Sequence, residues 1–269
     1  MKGISDIIVV LFLSIGLTIV ALLGFYLASY HYTIYRETIA MQEGRKLISD
    51  IYNLACERVG AGYAIKVPVR LTEGFLKYRA EHVYLTLTIS TGTESYTLGS
   101  DVLEASSPII YYEYGGEETV NLEHAVSFAA KGVLGLVSSD PFLTVNLFKY
   151  AENRRFVTGL AWLPAYHTRV EKLGSSRRLV VLVLVPLVEN RQAFTAPVVL
   201  CSRGGIQIAV SQEVAVFRYT FNTPTTITLT FTAYSDSVPS TTITRSFANI
   251  SEVVVRVIKY KFTITSVSF

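Results

Sequence analysis

Apolar residues crowd the start of this chain, in the run IIVVLFLSIGLTIVALLGFYLASYHYTIY, and no charged side chain occurs from Ile7 to Tyr35. A bilayer core needs about 20 such residues at 1.5 Å rise each, so the stretch is long enough to cross one. Tyr26, Tyr30, Tyr32 and Tyr35 gather at its far end, where amphipathic rings sit in a membrane–water interface. The pattern then changes. Ile39, Leu47, Ile48, Ile51, Tyr52, Leu54 and Ala55 recur at helical spacing against Arg45, Lys46, Asp50, Glu57 and Arg58, which predicts an amphipathic helix with one buried stripe. Gly60 and Gly62 supply stop signals. Residues 4–60 therefore read as one element, a nearly continuous rod about 80 Å long. Its first half is apolar all round and its second half is apolar on one side.

From residue 61 to 269 the period falls to two. IKVPVRL sets Ile65, Val67, Val69 and Leu71 on one face, and Pro68 marks an edge strand. HVYLTLTIS alternates Leu85, Leu87 and Ile89 with Tyr84, Thr86 and Thr88, and ESYTLGS follows a turn-like STGT. NLEHAVSFAAKGVLGLVSS suggests a helix over residues 122–136, and VNLFKYAENRRFVTGLAWL fits helix or strand. RRLVVLVLVPLVEN reads as a strand buried on both faces, too short for a second membrane span. TPTTITLTFTAYS points Ile227, Leu229 and Phe231 inward and its threonines outward. In SEVVVRVIKYKFTITSVSF the alternation slips between Val257 and Ile258, which predicts a bulge. The fold class is α+β: a long amino-terminal helix, then a mainly antiparallel, β-sandwich-like head. Subdivision of the head, if it has any, falls near 115–122 or 172–177.

Charged residues make up only 17% of the chain and the net charge is +3. The basic residues are scattered, which argues against nucleic acid as a partner, since that requires a concentrated basic face. Cys56 and Cys201 stand too far apart in sequence for any zinc-type spacing. In an oxidising compartment they are candidates for one long-range disulfide; elsewhere they are buried apolar side chains. Asn249-Ile250-Ser251 is a glycosylation sequon with Asn249 as acceptor, meaningful only outside the cell.

One short motif remains. Lys2-Gly3-Ile4-Ser5, followed at once by Asp6, Ile7 and the apolar run, resembles the class III (prepilin-type) signal of archaeal type IV pilin-like proteins. The resemblance covers about the first 35 residues together with the plan of long helix and β-rich head. It implies a leader of residues 1–3, removed by a prepilin-type signal peptidase between Gly3 and Ile4, and a retained apolar helix that bundles with sister subunits. The glutamate typical of bacterial pilins near the mature start is absent, and Asp6 is the nearest acid.

Candidate chemistry is sparse. His31, His82, His124 and His167 form no HExxH or i, i+4 pair, and there is no GxSxG elbow or Walker lysine loop. GAG at 60–62 does not follow a strand, so it is no dinucleotide fingerprint. Glu117, Glu118, Glu123 and His124 are the densest acid–histidine group and read as a solvated helix start. No catalytic, metal or cofactor residue is assigned and no cofactor is expected. The expectation is a non-enzymatic pilin-like subunit, minor or tip-type, held in the cell membrane by one span with its head outside. It would serve filament assembly or adhesion beside other pilin-like subunits. The alternative is a monomeric, single-pass anchor carrying an extracytoplasmic binding domain. Charge gives no clean orientation: Lys2 flanks one end of the span and Arg36, Arg45 and Lys46 follow the other, a count that mildly favours a cytoplasmic carboxyl side and conflicts with the head placed outside.

Overall fold

The structure is a computed structural model and describes residues 2–57, 63–115, 120, 122–123, 133–134, 137–138, 144–152, 155–174 and 176–267. A single helix, α1 (Lys2–Glu57), precedes a strand-rich domain. Its strands are β1 (Tyr63–Arg70), β2 (Phe75–Ser90), β3 (Ser95–Leu98), β4 (Glu104–Tyr114), β5 (Val133–Leu134), β6 (Val137–Ser138) and β7 (Thr144–Glu152). They continue with β8 (Arg155–Leu163), β9 (Ala165–Leu173), β10 (Ser176–Val188), β11 (Val198–Cys201), β12 (Arg203–Tyr234) and β13 (Thr241–Val267). Two single-turn helices, α2 (Ser100–Leu103) and α3 (Gln192–Thr195), lie between strands. All thirteen strands join one sheet, in the order β5-β6-β9-β10-β13-β12-β2-β4-β8-β7, with β1 on β12 and both β3 and β11 on β2.

The pairing is antiparallel except for β6 with β9 and β10 with β13. The apolar run of β10 is buried on both faces only over residues 183–186; before that Leu179, Val181 and Val183 are buried while Val180 and Leu182 are half-buried, which corrects the expectation of a strand covered on both faces throughout. The run looks continuous because Leu179, Val181, Val183 and Val185 serve one hydrophobic cluster and Leu184 and Val188 the other. Pro186 is tolerated there because β9 stops pairing at Leu184, and a missing N–H matters less beyond that point. Pro68 sits as expected: among the described pairings β1 has β12 as its one neighbour.

The sheet carries two hydrophobic clusters, and strand parity assigns them to opposite faces. Along β2, Leu76, Tyr78 and Ala80 enter one cluster, whereas Val83, Leu85, Leu87 and Ile89 enter the other. The same change of face occurs along β12, from Ile206, Ile208 and Val210 to Ile227, Leu229, Phe231 and Ala233. In β13, Val253, Val255 and Val257 serve one cluster, and Tyr260, Phe262 and Ile264 the other. This corrects the bulge expected at Val257–Ile258. The register with β10 and with β12 runs unbroken through both residues. The alternation slips there because a regular strand passes from one core to the other. The irregularity lies elsewhere, between Thr220 and Ile227 of β12, opposite a segment where Asn249 holds φ at 59°.

A second expectation changes as well. Of the helix predicted over 122–136, the part from Val133 onward contains a short antiparallel strand pair, with Val133 opposite Ser138 and Leu134 opposite Val137; residues 124–132 lie outside the described ones. The ambiguous segment after it is the β7–β8 hairpin. Of residues 172–177, Lys172 and Leu173 of β9 pair with Arg177 and Ser176 of β10, so no domain break separates these two strands. Most of residues 115–122 lie outside the described ones.

Candidate functional site

The amino-terminal half of α1 is bare. Every described side chain from Ile8 to Arg36 is exposed, including Phe12 at 69% and Phe25 at 74%. This is the one helix among the described residues long and apolar enough to cross a membrane. Its uncovered length is about 40 Å at 1.5 Å per residue, more than the roughly 30 Å hydrocarbon core. Thr18 and Thr33 donate their hydroxyls to carbonyls one turn back, which removes polar groups from an apolar surround.

The head takes hold of the helix over its next turns. Ala40, Gly44, Leu47, Ile48, Ile51 and Ala55 are buried, and the stripe predicted from Leu47 onward extends back through two small residues that hydropathy does not flag. Gly44 permits the closest approach. A Cβ there would fall into the Tyr112 ring, 2.7 Å from its Cγ. Tyr112 is fully buried and donates its hydroxyl to the Glu73 carbonyl at 3.0 Å. At the same level Glu43 accepts from the Thr72 amide and hydroxyl, both at 2.7 Å, and Arg36 pairs with Glu73. The Arg45 guanidinium lies 5.1 Å from the Phe156 ring centroid, within cation–π range. Two of the basic residues that blur the orientation count are thus engaged in holding helix to head.

A polar cleft of the head lies at a break in strand pairing. β11 pairs with β2 as far as Tyr78, and β12 takes over at Tyr84, leaving Arg79–Val83 bonded only to β4 among the described pairings. Into this gap project Phe194 of α3 and Asp236 and Ser237 from the β12–β13 turn, around a space of about 430 Å³. Glu81 organises it: one carboxylate oxygen accepts the Leu122 amide at 2.9 Å and the other the Ser237 hydroxyl at 2.5 Å. The Arg79 Nε is 3.8 Å from Glu81. With Glu81 and Ser237 tied to each other, the cleft presents Asp236, His82 and the Phe194 ring to a ligand.

From the cleft a column of rings runs across the sheet. His82 stacks on Phe194 at 4.1 Å, and Tyr84 stacks on Tyr234 at 4.8 Å. Beyond it the same face is a field of hydroxyls. Thr86, Thr88 and Ser90 of β2 lie beside Thr232, Thr230 and Thr228 of β12, which lie beside Thr242, Thr244 and Ser246 of β13. Neighbours satisfy one another, as with Thr228 and Ser246 at 3.1 Å and Thr232 and Thr242 at 3.3 Å. Comparison with known proteins finds no matching family model, no matching curated protein and no matching solved structure.

The residues singled out from sequence are not brought into one place. Gly3 and Ile4 lie in the first turn of α1. Cys201 is a free thiol whose Sγ approaches the Gly205 carbonyl at 3.7 Å, and burial pushes its pKa up. The Cys56 side chain lies outside the described residues. Asn249 is exposed, in the left-handed region that Asn enters more readily than most residues. Ser251 donates to the Arg177 carbonyl at 3.1 Å, so both sequon residues have local structural roles. Glu117, Glu118 and His124 lie outside the described residues. Among the described residues no cluster of His, Cys, Asp or Glu could hold a metal ion. Sequence reasoning missed the cleft because its walls come from distant segments; the one local signal that could have pointed to it is the period-two spacing that sets His82 and Tyr84 on one face of β2.

Proposed function

We propose that this chain is a non-enzymatic, pilin-like surface subunit, made with a short leader and trimmed by a prepilin-type peptidase between Gly3 and Ile4. The bare half of α1 then bundles with sister helices, and a sandwich-like head stands outside the membrane. The observation that carries this reading is the division of labour within one helix. Ile8–Arg36 is wholly uncovered, while Ala40–Ala55 is built into the head's core. A rigid rod that is half core and half bare apolar surface needs lipid or other helices around its bare half. The size of the head favours a minor or tip-type role over that of an abundant filament subunit.

The polar cleft and the hydroxyl face support a second reading, in which the same layout anchors a monomeric binding head. Shearing intact cells separates the two. A filament subunit is released as sedimentable, high-mass material that contains the chain, whereas a lone anchor stays in the membrane pellet and is extracted by detergent as a monomer.

A further inference from the structure

Among the described pairings β12 has an open stretch along one side. β1 closes residues 203–210 and β2 closes 228–234, while β13 runs along the other side. Between those closures Ser211–Thr220 is bonded to β13 alone among the described pairings, and the irregularity after Thr220 ends the straight run. Ten residues of strand are about 30 Å of backbone edge at 3.4 Å per residue. An edge of that length is a template for another extended chain, and folded proteins usually blunt such edges with lysine, proline or a bulge. Ser211–Thr220 has no lysine or proline, and Glu213 is drawn to Lys261 of β13 at 2.8 Å. One face of the stretch packs inward through Ala215, Phe217 and Tyr219. The other shows Val214 and Val216 at 57% and 50% exposure.

We propose that this edge pairs antiparallel with the same edge of a second copy, about a two-fold axis through Ala215. Self-complementarity selects both occupant and register. An axis there sets Val214 opposite Val216 of the second copy and Gln212 opposite Arg218, with the smallest side chain of the stretch on the axis. Moving the axis one residue forward sets Val214 against Arg218, and one residue back sets Val216 against Gln212. Either of those shifts sets one valine against its own counterpart and leaves the other facing Arg218 or Gln212, whereas the Ala215 register covers both exposed valines of each copy with valine. Such an isologous contact closes on itself, so it joins two heads laterally and does not lengthen a filament. It is independent of processing at Gly3.

The test uses the full chain in detergent micelles with Cys56→Ser and Cys201→Ser. Residues directly opposite in an antiparallel pair have Cα atoms about 4.5–5.5 Å apart, within disulfide reach. Ala215→Cys is therefore expected to form a disulfide dimer on mild oxidation at least tenfold faster than Gln212→Cys, whose copies lie about 20 Å apart in this register. Adding Val214→Lys, an exposed and fold-neutral change, is expected to remove that advantage. Association through α1 raises both rates alike, so their ratio isolates the edge. Equal rates for the two cysteines, or an Ala215→Cys chain that stays monomeric, overturn the proposal.

Discussion

Replacing Gly44 with leucine is expected to lower the thermal midpoint of the detergent-solubilised chain by roughly 6–12 °C. The reason is local and steric. The Cβ of any residue at 44 meets the Tyr112 ring. That ring has nowhere to go, being fully buried in the core beneath α1 and held by its bond to the Glu73 carbonyl. Overpacking of this kind costs about 1–3 kcal/mol and occasionally more, and about 3 kcal/mol in a chain of this size moves the midpoint by about 2–4 °C per kcal/mol. Adding Tyr112→Ala makes room for the leucine. The double variant is then expected to be less destabilised than the sum of the two single changes, the signature of residues in direct contact. Strict additivity would mean that the helix does not lie on Tyr112.

The second large effect is alkaline unfolding. Tyr78, Tyr111, Tyr112 and Tyr166 are at most 2% exposed. Burial raises the pKa of each phenol above its ordinary value near 10, to about 12 for Tyr166 and higher for the others. Glu113 adds to the effect at Tyr111 and Glu43 at Tyr112. A group whose folded-state pKa is raised lends stability that is complete below its unfolded pKa and disappears as pH climbs through the folded one. The window therefore opens near pH 10 and extends through about pH 12. Phenolate absorbance from these residues is expected to appear in one step with loss of the strand signal in circular dichroism. Tyr166→Phe should shift that step to higher pH. Among the described residues the buried Tyr166 hydroxyl has no hydrogen-bond partner, so its loss should leave stability at pH 7 unchanged or raise it. Smooth titration of all phenols in an intact fold would contradict this core.

The parts of this fold that were legible in the sequence are those where one segment carries its own signal. The bare helix is visible because lipid-compatible surface is apolar all round, and β1 and the outer half of β2 because alternation reports a half-covered strand. Leu47, Ile48, Ile51 and Ala55 mark the docking stripe for the same reason. The illegible parts depend on what lies across from a segment. Val257 and Ile258 look like a bulge because one strand serves two cores in turn. Gly44 carries no hydropathy signal, although it sets the distance between helix and sheet. The cleft at Glu81 joins residues from β2, α3 and the β12–β13 turn, and nothing in any one of those segments announces the others. The Lys2-Gly3-Ile4 motif is the reverse case, legible as a pattern but silent in the geometry, where it is simply the first turn of a helix.

The most direct measurement is the mass of the amino-terminal peptide of the chain isolated from its native membrane or surface fraction. A pilin-like subunit predicts a peptide beginning at Ile4, with Met1, Lys2 and Gly3 removed. A peptide that still begins at Met1 or Lys2 would contradict processing at this site and leave the single-pass anchor with a binding head as the account of this chain.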